Sequence, residues 1–142
     1  MNYANVWKRF LAGLIDSIIL SIFNSIIISV ISKIFVSGTA GEETSGVILA
    51  VVINWVIFII ISWLYYAIQE SSPRQATIGK QAMGLVVTDM NGEKISFVKA
   101  TIRNFAKIIS AIILYIGYFM AFFTEKKQAL HDMLAGTLVL QK

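Results

Sequence analysis

Three apolar stretches separated by polar ones dominate the pattern of this sequence. The first runs from about residue 10 to 36 and the second from about 47 to 68, and each reaches the about 20 residues that a membrane-spanning helix requires. The third, from about 108 to 123, is shorter and contains Gly117. We therefore predict an all-α membrane protein with two clear transmembrane helices. We also predict a third helical element over 103–123 that either spans the membrane or is kinked and re-entrant.

Charged residues are distributed unevenly between the connecting segments. The link 37–46 carries two Glu and no Lys or Arg, whereas the loop 69–102 is basic. Loops rich in Lys and Arg stay in the cytoplasm during insertion. Because Lys8 and Arg9 precede the first apolar stretch, we predict that the N-terminus and the loop 69–102 are cytoplasmic and that the acidic link lies outside.

The side of the membrane that holds the tail 124–142 depends on the third element. If that element spans once, Lys126, Lys127 and His131 lie outside, against the charge rule. If it bends near Gly117 and returns, they stay in the cytoplasm. Irregular backbone at membrane depth is tolerated where it is buried in protein or lines a cavity. The short length, the glycine and the trailing lysines favour a cytoplasmic tail.

The cytoplasmic loop contains a predicted β-hairpin. Residues 84–88 are rich in β-branched side chains, residues 89–93 contain an Asn-Gly turn signal, and residues 94–97 follow as the second strand. Ser96 is also a candidate N-cap for a helix that continues to Arg103.

Composition narrows the class of protein further. Of 142 residues, 57% are hydrophobic and only 14% are charged, far below the about 25% of a soluble domain, so we expect one membrane-embedded domain. The first apolar run is too long for a removable signal peptide.

There is no cysteine and only one histidine, so we expect no metal site, no cofactor and no enzyme. The net charge of +4 suits membrane lipids with anionic headgroups rather than nucleic acid.

Asp16 is the candidate functional residue. It lies about the middle of the first predicted helix, and a charge at that depth costs about 2.5–3.5 kcal/mol on insertion scales. Such a residue is retained when it faces a partner, a cavity or an ion, or when it forms an internal ion pair that locks helices together. We therefore expect Asp16 to bind an ion or a proton, with Ser17, Asn24 and, on the second helix, Asn54 supplying further oxygens.

A stripe of serines supports two interpretations. Serines recur every four residues along the first helix, on the face that also carries Asp16 and Asn24. Small hydroxylated residues are what membrane helices use to pack closely, so most of the stripe is explained by packing. The alternative is a hydrated path along which hydroxyl and amide oxygens solvate a cation.

Motifs at both ends resemble the RDD family of small membrane proteins. Residues 7–16 (WKRFLAGLID) resemble the opening of that family, and residues 130–139 (LHDMLAGTLV) resemble its C-terminal pattern. The arginine and two aspartates that name the family match Arg9, Asp16 and Asp132. Further family positions match two short segments, 77–80 and 84–87, and two single residues, Gly92 and Arg103.

The resemblance implies a bacterial cytoplasmic membrane protein, and cation/proton antiport is one activity attributed to the family. Under that hypothesis Asp16 exchanges a proton for Na⁺, Li⁺ or K⁺. The alternative is a non-transporting adaptor or regulatory subunit that binds a larger membrane protein. Three helices cannot seal a transport path against lipid, so we expect a homo-oligomer.

The cationic residues near the two ends suggest specific ion pairs. If the tail is cytoplasmic, Asp132 can reach Arg9, and the charge-assisted pair would pin the tail to the first helix. Arg9 and Asp16 are seven residues apart, or roughly 10 Å along a helix, which is too far for direct pairing. Asp16 then needs another partner, and we expect Arg103 or Lys107 to supply it.

Overall fold

The structure of this chain, a computed structural model, describes residues 1–35, 43–112 and 116–142. Side chains are described within these ranges except at residues 35, 43–45, 110–112 and 116–119. The described part is mostly helical and divides into two compact units: unit 1 comprises Met1–Asp16 and Trp63–Lys142, and unit 2 comprises Ser17–Ser62. The elements in chain order are α1 (Val6–Phe35), α2 (Glu43–Glu70), α3 (Ile78–Ala82), β1 (Leu85–Asp89), α4 (Phe97–Ile112), α5 (Ile116–Phe123), α6 (Leu130–Leu134) and β2 (Thr137–Gln141).

The two long helices, α1 and α2, correspond to the first two apolar stretches. They contain 30 and 28 residues, so at about 1.5 Å per residue each exceeds the about 30 Å of a bilayer core. In the most apolar part of α2 no residue is buried, and in that of α1 only 17% are, whereas a core helix of a soluble protein is mostly buried. The helices thus confirm two candidate spans, each a few residues longer than predicted. The acidic link 37–46 lies largely outside the described residues.

The third apolar stretch forms two helices, α4 and α5. Ser96 Oγ accepts a hydrogen bond of 3.2 Å from Lys99 N, as expected of an N-cap, and α4 begins directly after it. Residues 113–115, between the two helices, lie outside the described residues. At 16 residues α4 is about 24 Å long, shorter than a bilayer core. Whether the stretch spans the membrane or re-enters, and hence the side of the tail, stays a prediction.

Helix α4 has its polar side inside unit 1 and its apolar side outside. Its buried residues are Ala100, Arg103, Asn104 and Ala106. Its exposed large side chains are all apolar: Phe97, Val98, Ile102, Phe105, Ile108 and Ile109. This is the reverse of a helix on a soluble domain, whose apolar stripe faces the core. The arrangement brings charge into unit 1 and leaves hydrocarbon on its surface.

The predicted β-hairpin is wrong in its second strand. β1 pairs antiparallel with β2, at the other end of the chain, with Val87 opposite Val139. Of the predicted partner 94–97, only Lys94 makes a bridge, to Thr88, because Ser96 already caps α4. β2 contributes two buried apolar side chains, Leu138 and Val139, against the one, Ile95, of the segment 94–97, and pairing with it completes the small sheet.

The predicted turn after β1 is present despite the changed pairing. Asp89 Oδ1 accepts hydrogen bonds from Asn91 N at 2.8 Å and Glu93 N at 2.9 Å. Gly92 has φ +89°, a backbone conformation that favours glycine.

The core of unit 1 lies between the sheet and the ends of the long helices. Ala4 N donates to Val139 O at 2.9 Å, which attaches the N-terminus to β2. Half of the side chains in the buried cluster are alanines, which allow close backbone approach. Its members are Ala4, Ala12, Ala67, Leu85, Val87, Ile95, Ala100 and Val139.

Candidate functional site

Asp16 is fully buried and accepts three hydrogen bonds. Tyr65 Oη donates to Oδ1 at 2.7 Å, Thr77 Oγ1 donates to Oδ2 at 2.6 Å, and Gly79 N donates to Oδ1 at 2.8 Å. The carboxylate therefore joins α1 to α2 and to the start of α3. Asp16 is the eleventh of the 30 residues of α1, so it lies nearer the start of the helix than the predicted middle. Its contacts with Thr77 and Gly79 place it against the loop that the sequence predicts to be cytoplasmic.

The start of α3 is shaped to receive this carboxylate. Thr77 is the N-cap, and its hydroxyl also lies 3.4 Å from Lys80 N, the donor that an N-cap side chain satisfies. A Cβ at position 79 would lie 2.1 Å from Ala12 O and 2.8 Å from Asp16 Oδ1. Only glycine allows the backbone of α3 to approach α1 this closely, so Gly79 is required by contact rather than by backbone conformation.

A second polar cluster in unit 1 is an ion-pair network of four cations and two carboxylates. Arg103 lies at its centre: its Nη1 is 3.3 Å from Glu70 Oε2, and its Nη2 and Nε are 2.8 and 3.0 Å from Asp132 Oδ1. Both carboxylates and Arg103 are almost completely buried. The members of the ion-pair network are Arg9, Glu70, Lys80, Arg103, Lys107 and Asp132.

Asp132 ties the tail to the first helix. Its Oδ2 pairs with Arg9 Nη2 and accepts a hydrogen bond of 3.0 Å from Ala129 N, while Arg9 Nη1 donates to Lys127 O at 2.7 Å. The Arg9–Asp132 pair is the one that the sequence predicts. His131 Nε2 lies 3.4 Å from Asp132 Oδ1 at the edge of the same cluster.

Glu70 gathers three cations at the end of α2. Lys80 Nζ pairs closely with Oε1, Arg103 binds Oε2, and Lys107 Nζ lies 3.8 Å from Oε1. Lys107 also donates to Asn104 Oδ1 at 2.8 Å and sits over the ring of Tyr66, 3.8 Å from its centroid. A carboxylate shared among three cations holds α2, α3 and α4 at one point.

Burial and charge shift the pKa values of three groups in the loop and tail. Burial raises the pKa of Asp132, but the guanidinium groups of Arg9 and Arg103 outweigh it and hold the pKa well below its ordinary value. Burial lowers the pKa of Lys80, against the attraction of Glu70. Burial also lowers the pKa of His131 well below its ordinary value, against the attraction of Asp132, so its imidazole is neutral at pH 7.

Arg103 and Lys107, the expected partners of Asp16, lie elsewhere. They bind Glu70, and Arg103 also binds Asp132, whereas Asp16 takes part in no ion pair among the residues that the structure describes. The reason is that α2 ends in Glu70, an acid placed within reach of both cations.

The other predicted ion ligands, Ser17, Asn24 and Asn54, belong to unit 2. Ser17 is exposed, and its carbonyl accepts from Ser21 Oγ at 2.7 Å. The Oδ1 atoms of Asn24 and Asn54 are buried and have no hydrogen-bond partner within the described ranges. Their participation in an ion site stays a prediction.

The sequence predicts no role at the site for five of its residues: Tyr65, Glu70, Thr77, Gly79 and Lys80. One signal was available, because Glu70 is the only acid between Glu43 and Asp89 and directly follows an apolar stretch. The local sequence does not indicate the contact of Gly79 with Ala12, because that contact depends on how α3 packs against α1.

Comparison with known proteins decides the family. The model of the RDD family matches residues 3–136, nearly the whole chain. The chain belongs to the RDD family. Together with the two apolar helices, this identifies a membrane-type protein. Within this RDD protein, two of the three residues that resemble the family's naming motif, Arg9 and Asp132, pair with each other, and Asp16 occupies a separate position.

One curated relative shares part of this sequence. Uncharacterized protein YxaI of Bacillus subtilis (strain 168) is 44% identical over 78 residues, which cover 55% of this chain and 51% of the relative. The match thus spans about half the length of each protein. No solved structure matches the chain.

Proposed function

We propose that this RDD protein is a small multi-pass protein of the cell membrane that exchanges a monovalent cation, Na⁺, Li⁺ or K⁺, for a proton at Asp16. The observation that supports the proposal is the charge state of its surroundings. Glu70 and Asp132 are each held by two or more cations, whereas the buried carboxylate of Asp16 has only uncharged donors among the described residues. Asp16 is therefore the buried carboxylate available to a proton or a cation.

The donors around Asp16 suit such an exchange. Two of the three are hydroxyls, on Tyr65 and Thr77, and a hydroxyl can rotate so that its oxygen accepts instead of donating. A protonated Asp16 could then donate to either hydroxyl, and a cation could share their oxygens with the carboxylate. Gly79 N–H cannot reverse, so it remains bonded to Oδ1 and keeps the carboxylate in place.

The proposal includes a topology and an assembly. The charge distribution favours a cytoplasmic N-terminus and a cytoplasmic loop after α2, and in that topology Asp16 lies near the cytoplasmic side of the membrane. Transport sites in membrane proteins are enclosed by several helices, more than α1 and α2 supply. A homo-oligomer would provide the missing wall, and cross-linking in native membranes would detect it.

Proton flux from proteoliposomes tests the function. Vesicles containing purified protein and a trapped pH dye are first made more acidic inside than outside. Na⁺, Li⁺ or K⁺ is then added to the outside. We expect saturable, cation-dependent proton movement for the wild type, none for Asp16→Asn, and normal movement for Glu93→Gln, which removes an exposed carboxylate from the same unit. No cation-dependent flux from folded, inserted wild-type protein would refute the exchange.

A second candidate function is a non-transporting adaptor that binds a larger membrane protein. It is favoured by the same geometry, because three hydrogen bonds already satisfy Asp16 and give it a purely structural use in joining α1 to α3. The adaptor predicts that wild type carries no flux and that Asp16→Asn loses stability and partner binding together. Antiport predicts that flux disappears in a variant that remains folded.

A further inference from the structure

The third apolar stretch is attached at both of its ends to one level of the molecule. Within α4, Arg103 binds Glu70, the last residue of α2, at 3.3 Å. Beyond α5, the carbonyl of Lys127 accepts a hydrogen bond of 2.7 Å from Arg9, the fourth residue of α1. Asp132 joins the two attachments, because it pairs with both Arg9 and Arg103. The chain therefore leaves the level of the α1 start and the α2 end at Arg103 and has returned to it by Lys127.

Aromatic contacts give the same placement. The ring centroids of Trp7, the second residue of α1, and Phe122, near the end of α5, are 6.3 Å apart. Trp63, two turns before the end of α2, has its ring centroid 5.9 Å from that of Phe97, and its Nε1 donates to Thr101 Oγ1 at 3.2 Å. Tryptophan is enriched where a helix meets the membrane–water interface. The start of α4 and the end of α5 thus both lie beside these same helix ends.

The described helices are too short to cross a membrane from that level. Nine residues of α4 follow Arg103 and six residues of α5 precede Phe122. At about 1.5 Å per residue these segments are about 14 and 9 Å long, whereas the hydrocarbon core is about 30 Å thick. Each helix therefore reaches about half of the core or less.

The outer face of α4 suits the acyl chains of a single leaflet. Its polar residues Arg103 and Asn104 are buried inside unit 1, and the large side chains that it exposes are all apolar. Amphipathic helices lie in a membrane with the apolar face about 5–10 Å inside the boundary between headgroups and acyl chains. The exposed Lys94 precedes α4 by three residues, a position that suits anionic headgroups at the surface of that leaflet.

We propose that α4 and α5 form a re-entrant hairpin in the leaflet next to the N-terminus, with the apolar face of α4 against lipid acyl chains and its polar face against the ion-pair network. The chain then crosses the membrane twice, through α1 and α2, and its C-terminus lies on the same side as its N-terminus. This placement does not depend on cation exchange at Asp16, so either can fail without the other.

Single-cysteine labelling of the full chain tests the hairpin, because the natural sequence contains no cysteine. Membrane vesicles of known orientation receive a membrane-impermeant maleimide on the outside, before and after permeabilisation with detergent. The variants are Asn2→Cys and Lys142→Cys at the two ends and Thr39→Cys in the link 37–46. We expect Asn2→Cys and Lys142→Cys to be labelled from one side and Thr39→Cys from the other. Labelling of the two ends from opposite sides would overturn the hairpin.

Fluorescence quenching tests the lipid contact. Val98→Cys and Ile109→Cys, on the exposed face of α4, carry an environment-sensitive dye in proteoliposomes made with lipids brominated on their acyl chains. Glu93→Cys, exposed in the turn before α4, is the control. We expect loss of fluorescence at both α4 positions and none at the control.

Two results would contradict the lipid contact. One is an unquenched dye at both α4 positions. The other is the same result together with disulfide cross-linking between copies through Ile109→Cys, which would assign the face to a second copy of the chain. If either variant does not fold, Ile102→Cys provides another position on the same exposed face.

Discussion

Polar side chains behave differently in the two units. In unit 1 they connect distant parts of the chain: Asp16 and Thr77 are 61 residues apart, and Arg9 and Asp132 are 123 apart. In unit 2 the hydroxyls of Ser21, Ser25 and Ser32 bond to carbonyls three or four residues earlier in their own helix, α1. Unit 1 is therefore specified by tertiary polar contacts, whereas these three hydroxyls of α1 are satisfied before any packing occurs.

The comparison explains where a chemical site can form. A serine bonded to its own backbone presents a small, satisfied surface that suits close packing of membrane helices. A carboxylate held by two separate segments, α2 and the start of α3, is instead fixed in position, as an ion- or proton-binding group must be.

Asp132→Ala should have the largest effect on stability. It leaves the guanidinium groups of Arg9 and Arg103 without their shared carboxylate, and breaking a buried ion pair costs about 3–5 kcal/mol. The free energy of unfolding in detergent measures the loss, with the exposed Glu93→Ala as the control. A loss below about 1 kcal/mol would show that the network is not essential to unit 1.

Gly79→Ala should come next. Its Cβ would overlap Ala12 O and force α3 away from α1, at a cost of about 1–3 kcal/mol typical of overpacking. Gly13→Ala is the matched control on α1, because beyond its own stretch of helix no atom of the described residues lies within 4 Å of the added Cβ. The same measurement should find the control neutral or stabilised by up to about 1 kcal/mol. Equal effects of both variants would contradict the close approach at Gly79.

Thr77→Val should cost about 1–2 kcal/mol. It removes a donor to Asp16 and the N-cap of α3 while preserving the shape of the side chain. Thr77→Ser retains the hydroxyl and should recover most of the stability in the same unfolding experiment. If Val is tolerated as well as Ser, the hydroxyl is not what positions Asp16.

Ser25→Ala should have the smallest effect, within about 0.5 kcal/mol. Within the part of the chain that the structure describes, its hydroxyl bonds to carbonyls three and four residues earlier in α1, and exposed positions of this kind tolerate substitution. A loss above 1 kcal/mol, measured in the same way, would mean that the serine surface of unit 2 makes contacts that its own helix does not supply.

The features that the sequence predicts correctly depend on local pattern or on a single pair of charges. The two long helices follow from apolar length, the cap of α4 from Ser96, and the Arg9–Asp132 pair from complementary charges at the two ends. Each of these can be inferred without knowing how the remaining elements pack.

The features that were missed depend on which elements meet in space. The pairing of β1 with β2 joins segments about 50 residues apart, and a turn signal directly after β1 favours a local partner instead. The partners of Asp16 come from the end of α2 and the start of α3, where no charge marks them. Two of these donors are common hydroxyls and one is a backbone N–H. None of them has a distinctive sequence pattern.

Proton release on cation binding tests the central claim, exchange at Asp16, most directly. Titration calorimetry of the detergent-solubilised protein with Na⁺, in two buffers of different ionisation enthalpy, measures the protons released per cation bound. We predict that binding heat depends on the buffer for the wild type and for Glu93→Gln, and that Asp16→Asn loses both the binding and the buffer dependence. Binding heat that is independent of the buffer, or proton release that persists in Asp16→Asn, would contradict the claim.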